Sequence, residues 1–158
     1  MASIFFPRKR KPRESAEPNR GSAAGKNRQS PIILIADRDS NFAISLSQEL
    51  KSRGNDCILA SGVVDAFARS LQVVPDVVVL AYDIARKGDG IELAKQILSQ
   101  RPLMKIVMLT DIYSRIDKKE ERIGIELFTE KSLGIQKIAS TICGISELRK
   151  TAFRLVAK

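Results

Sequence analysis

The chain has 158 residues, 44% of them hydrophobic and 28% charged, as expected for one soluble globular domain with a tail. It contains no histidine, which removes histidine-based triads, the common zinc sites and phosphohistidine chemistry by the chain itself. Net charge is +9, of which the first 30 residues carry +6, so the basicity belongs mainly to one end. No apolar run approaches the roughly 20 residues that span a bilayer. The start, MASIFFPRKRKPR, puts its apolar patch before its basic cluster, the reverse of a secretory signal. Cys57 and Cys143 sit in apolar contexts without metal-ligand spacing and are expected to be reduced core residues. A cytoplasmic location follows from these features.

Residues 1–30 are rich in Pro, Gly, Ser, Ala and Asn and offer only Ile4, Phe5 and Phe6 for burial, so a disordered basic tail is expected. Its polybasic block sets Arg8, Lys9, Arg10, Lys11 and Arg13 beside Phe5 and Phe6. One reading is a solvated arm. The other is attraction to an acidic protein surface, anionic lipid or nucleic acid. A weak apolar anchor plus a basic patch would give reversible contact with a membrane surface. No helix-turn-helix, zinc finger or aromatic-interleaved basic motif supports nucleic acid.

From residue 31 the pattern becomes regular. IILIA (32–36) is a short continuous apolar run, as for a strand buried on both faces. A helix follows, with Ser40 as N-cap, Phe42, Leu46 and Leu50 on one face, and Gly54 as the stop. DCILAS (56–61) is a second strand, and 63–74 a helix with Val63, Phe67 and Leu71 on one face, ended by Pro75. DVVVLAYD (76–83) is the most apolar strand and should be central. Residues 89–102 form a helix, KIVMLT (105–110) a fourth strand, and 112–123 a polar stretch with room for a short helix. IELFTE (125–130) is the fifth strand, and 133–158 closes the chain as one long helix or two.

Strands alternating with helices imply right-handed βαβ units and a doubly wound, five-stranded parallel sheet, a flavodoxin-like α/β fold over residues 31–158. Function in such a sheet lies at the carboxyl ends of the strands. Those ends hold Asp37, Arg38 and Asp39 after the first strand, Ala81 to Asp83 after the third, Thr110 after the fourth, and Lys131 after the fifth.

That set resembles the receiver domain of two-component response regulators, over residues 31 to about 145. The resemblance implies phosphoryl transfer to an aspartate after the third strand. An acidic pair after the first strand would help to hold Mg²⁺, and a hydroxyl and a lysine would contact the phosphoryl group. Asp37 matches the first acid, Thr110 the hydroxyl, Lys131 the lysine, Phe128 the switch aromatic and Gly90 the glycine opening the third helix. Ser132 stands where the family usually has proline.

Two positions depart from that pattern. Arg38 replaces the second acid. Ala81 falls at the acceptor position when counted from Pro75-Asp76, whereas a shifted register would bring up Asp83. Alanine has no nucleophilic oxygen, and a guanidinium removes a metal ligand and adds positive charge. Arg38 is expected to pair with Asp37 or Asp83 in place of the metal, with Lys131 neutralising Asp37 from the other side. The alternative leaves Arg38 in solvent with Asp39 capping the helix.

The resulting expectation is a non-enzymatic pseudo-receiver that needs no cofactor and binds a protein partner, an acidic one included, without phosphorylation. The first alternative is a working receiver phosphorylated on Asp83 with Mg²⁺. The second is a nucleic-acid or membrane-surface protein acting through its tail. No output domain is expected. The stripe Ile135, Ile138, Ile142 and Ile145 continues through Leu148, Ala152 and Leu155, so the last helix is expected to overhang the sheet. Ile142, Ile145, Leu148, Phe153 and Leu155 are the candidate interface, including one between two copies of the chain.

Overall fold

The computed structural model describes residues 30–112, 116, 117, 119, 120 and 123–156, with side chains of the last helix described to residue 148. The expectations for the tail before Ser30, and for much of 112–123, fall outside the described residues. Five strands form one parallel sheet in the order β2-β1-β3-β4-β5. They are β1 (Ile32–Ala36), β2 (Asp56–Leu59), β3 (Val77–Ala81), β4 (Lys105–Thr110) and β5 (Leu127–Glu130). The helices are α1 (Ser40–Ser52), α2 (Val63–Gln72), α3 (Asp89–Gln100) and α4 (Ile135–Val156), and a 3₁₀ turn (Lys131–Leu133) leads into α4. Among the described residues, no α-helix lies between β4 and β5.

The period-2 alternation of a strand divides the core in two. Ile33, Ile35, Val77, Val79, Val107 and Leu109 point to one face, where Leu46 and Leu50 of α1 and Ile138 and Ile142 of α4 cover them. Leu34, Val78, Leu80, Ile106 and Met108 point to the other, under Ala66 of α2 and Ile91, Leu93 and Ile97 of α3. This two-sided burial explains why the strands read as continuous apolar runs. β3 is central, as its composition predicts. Cys57 and Cys143 are half-buried at the margin of the α1/α4 cluster. Burial pushes the Cys57 thiol up to about 11, against the opposing pull of Lys51, so it stays protonated at neutral pH.

Several boundaries differ from expectation. Asp39, not Ser40, caps α1, its carboxylate accepting from the Phe42 N–H at 3.1 Å. β2 stops at Leu59, and β5 starts at Leu127. The fully covered line of α2 is Ala66 and Ser70, with Val63 and Phe67 packed beside it. The C-terminal segment is one helix of 22 residues, about 33 Å long at 1.5 Å per residue. Gly144 does not break it. Ile142, expected at an interface, is fully buried in the core, because the same stripe that could meet a partner packs on the sheet. Ile145 is half-buried, and Leu148 is 70% exposed as the stripe leaves the sheet. The side chains of Phe153 and Leu155 lie outside the described set.

Gly90 has a specific reason. A Cβ there would collide with the carbonyl oxygen of Ala81, and the Gly90 N–H donates to Tyr82 O at 3.0 Å. The start of α3 is thus drawn against the end of β3, which fixes the loop bearing Asp83.

Candidate functional site

The strand ends stand level. Ala36 pairs with Leu80, Ala81 with Leu109, and Thr110 with Glu130. The residues just beyond them converge on a cavity of about 410 Å³, with Ala81 at its base and Arg38, Asp83, Thr110 and Lys131 around it.

Asp37 follows β1 directly, and its side chain is fully buried. Its Oδ1 accepts from the Asp39 N–H at 2.9 Å. Its Oδ2 lies 2.7 Å from Lys131 Nζ, an ion pair without hydrogen-bond alignment, and has no other partner. The ammonium also lies 4.9 Å from the centre of the Phe42 ring, within cation–π range. Lys131 therefore neutralises Asp37, as expected.

Arg38 does not. It is exposed and forms no ion pair with Asp37 or Asp83 among the described residues. The expected Arg38–carboxylate pair is absent: the chain bends at Arg38, just past β1, where the Asp39 N–H donates back to Asp37 Oδ1, and the structure matches the alternative with Asp39 as the cap. With Asp37 turned inward onto Lys131, Arg38 is carried outward. Asp39 is occupied as the cap of α1.

On β3 the last strand residue is Ala81, whose methyl is 2% exposed and borders the cavity. Asp83 lies two residues on, in the β3–α3 loop, where its Oδ1 accepts from the Gly88 N–H at 2.7 Å. Asp89 closes the same loop from the other end. Its carboxylate accepts from the N–H groups of Ile84, Ala85 and Arg86 at 2.7, 2.9 and 2.7 Å. Burial opposes ionisation of Asp89, but the three N–H donors and the nearby Arg86 outweigh it and hold the pKa below the ordinary 3.8. A depressed folded pKa gives stability that is complete above 3.8 and is lost as pH falls below it. Asp89→Asn is therefore expected to lower stability near neutral pH and to flatten its acid dependence, measured by urea unfolding across the acid range. Parallel pH curves for the two proteins would show that the loop does not depend on the charge.

Thr110 is 4% exposed. Its hydroxyl accepts from the Ile112 N–H at 3.2 Å and donates to Ile112 O at 3.1 Å, so it closes the turn after β4. Phe128 is half-buried against the α2/α3 cluster. The peptide before Ser132 is trans.

Tyr82 falls within the strand-end stretch Ala81 to Asp83 but drew no role from the sequence. It borders the cavity, and its hydroxyl donates to Glu120 Oε1 at 3.0 Å. Burial, then the Glu120 carboxylate, raises its pKa above the ordinary 10.0. Asp111, also exposed at the cavity, went unassigned although it directly follows a strand end.

No protein-family model matches the chain. Over 95 residues, 60% of this chain, it is 34% identical to the alkaline phosphatase synthesis transcriptional regulatory protein PhoP of Bacillus subtilis (strain 168). It spans only 38% of that protein's length. A CheY-like response regulator receiver domain from Methanospirillum hungatei JF-1 superposes with a TM-score of 0.69 at 18% identity, over 78% of this chain and 98% of that one. The signal receiver domain of a LuxO-type repressor from Vibrio parahaemolyticus gives 0.71 at 17% identity, over 82% and 98%. Chemotaxis response regulator CheY4 of Vibrio cholerae gives 0.66 at 21% identity, over 73% and 98%. The architecture is thus that of the CheY-like receiver fold. That fold is shown, and the sequence likeness to a response regulator extends over 95 residues of it. Among the described residues, no helix is long and apolar enough to cross a membrane.

Proposed function

We propose that this receiver domain is a pseudo-receiver, a signalling module that binds a protein partner without being phosphorylated and without catalysis of its own. One observation carries the reading: the residue at the end of β3, at the base of the cavity, is Ala81, which has no oxygen to accept a phosphoryl group. The donor set supports it. Mg²⁺ takes oxygen ligands, typically one or two carboxylates. Here Asp37 already holds Lys131 and a backbone N–H, Asp39 caps a helix, and Arg38 brings a positive charge to the rim. These residues do not fit the metal.

Asp83 remains the alternative acceptor because it borders the cavity, although its Oδ1 is engaged by Gly88. Incubation with acetyl phosphate and Mg²⁺ is expected to leave the intact mass unchanged. A stoichiometric acyl-phosphate adduct on Asp83 would replace this reading with that of a working receiver.

The partner contact is assigned to the end of α4, where Leu148 emerges 70% exposed from a stripe that is otherwise packed. Truncation after Ser146 is expected to preserve the melting temperature but abolish self-association or partner binding, read by light scattering and pull-down. A lower melting temperature with unchanged association would assign the helix end to the core. Deletion of residues 1–28 is the companion test. Binding that is lost with the tail but kept without the helix end would move the contact to the basic segment, and with it the nucleic-acid or membrane-surface reading.

A further inference from the structure

A second concave surface lies away from the degenerate pocket. It runs between the start of α2 and the first turns of α3, under the β3–α3 loop, and encloses about 1040 Å³. Its apolar side is formed by Val64 and Ala68, with Val63 partly packed on the core and Leu93 fully buried beneath. Val64 is 84% exposed, which makes it one of the most exposed large apolar side chains described. Core packing does not explain a valine in that position.

Three carboxylates, Asp65, Asp89 and Glu92, and two cations, Arg86 and Lys87, line this groove. Its carboxylates are engaged within the fold. Asp65 pairs with Arg69 at 2.7 Å and accepts from the Ser61 N–H, Glu92 pairs with Lys95 at 2.7 Å, and Asp89 is turned onto three loop N–H groups. The cations Arg86 and Lys87 also border the groove, are exposed, and form no ion pair among the described residues. The groove therefore offers an exposed apolar side chain, Val64, with two exposed cations beside it, of which Arg86 also acts on Asp89 and Lys87 has no ion-pair partner among the described residues.

We propose that the α2–α3 groove is the docking site for an acidic amphipathic helix of a partner protein, whose apolar face covers Val64 and whose carboxylates meet Arg86 and Lys87. An amphipathic helix laid in a groove uses apolar anchors at helical spacing for affinity and charge complementarity for orientation and rate. The proposal rests on the reading of this domain as a partner-binding module and adds a second contact surface, apart from the end of α4, with the chemistry of the partner that fits it. The phosphotransfer assay does not touch this groove, so the two can fail separately.

The test uses the full chain and a fluorescein-labelled synthetic helix of leucine and glutamate, with leucines at helical spacing. A leucine–lysine peptide with the same apolar face is the charge control. Anisotropy should show binding of the glutamate peptide only, weakening as salt rises. The Arg86→Glu/Lys87→Glu variant should bind about tenfold more weakly, and Val64→Glu should lose a similar amount. These are exposed positions, so thermal melts should match the parent. Ile44→Glu, at an exposed apolar position on α1, should bind like the parent. The reversal Lys9→Glu/Lys11→Glu measures any contribution of the basic tail. Equal binding of the two peptides, or parent-like binding by the groove variants, would overturn the proposal. So would a loss confined to the tail variant, which would place the binding there.

Discussion

Lys131→Met is expected to destabilise the domain by about 3–5 kcal/mol, because it leaves a buried carboxylate without its counter-charge. Asp37 is fully buried, and Lys131 is only 17% exposed, so solvent screens the pair weakly. The backbone N–H of Asp39 still satisfies Oδ1, but nothing replaces the ammonium at Oδ2. Replacing both partners should cost much less, since the desolvation penalty leaves with the charges. Asp37→Asn/Lys131→Met is therefore expected to recover most of the loss, giving a large coupling term in a double-mutant cycle. Urea unfolding of the four proteins measures it. A Lys131→Met variant within about 1 kcal/mol of the parent would place the pair in the weak range of surface ion pairs, with water reaching Asp37.

On the proposed pseudo-receiver reading, Arg38→Asp/Ala81→Asp is expected to gain the uptake of a single phosphoryl equivalent that the parent lacks. The chemistry lacks two things, a nucleophilic oxygen at the end of β3 and a second carboxylate for Mg²⁺. The cavity of about 410 Å³ over Ala81 has room for a carboxylate there, and Arg38 already stands at its rim. Lys131 lines the same cavity, paired with Asp37. The phosphoryl group passes from acetyl phosphate to the new carboxylate, acetate leaves, and intact mass reports the adduct. A folded double variant that stays unlabelled with Mg²⁺ present would show that the pocket differs from a phosphoacceptor site by more than two residues. Labelling of the parent would point instead to Asp83.

The strands were legible because burial on both faces leaves an unbroken apolar run, which cannot easily be mistaken at β3 or β4. The ends were less so. Asp39 and Ser40 are both good caps and adjacent, so only the observed bond to Phe42 separates them. The family positions Asp37, Thr110 and Lys131 could be found by counting, and they converge as counted. The partner of Asp37 is a different kind of question. Both Lys131 and Arg38 were expected beside a carboxylate of the pocket, and only the fold shows Lys131 on Asp37 and Arg38 exposed. Ile142 shows the matching ambiguity for helices, since one stripe serves a core and an interface equally well. Tyr82 with Glu120, and Asp89 with its three N–H donors, left no trace in composition or periodicity. The first joins residues 38 apart, and the second depends on how one irregular loop happens to close.

A counter-ion carried on the polypeptide differs in one respect from one drawn out of solution: it has no chemical potential for a cell to adjust. Dissolved magnesium occupies a site according to its concentration, and a ligand biases a two-state protein only through its unequal affinity for the two states. Lys131 sits beside Asp37 at a local concentration set by the fold alone. The charge balance of this corner is thus a constant of the molecule, present from the moment the chain folds and lost only when it unfolds.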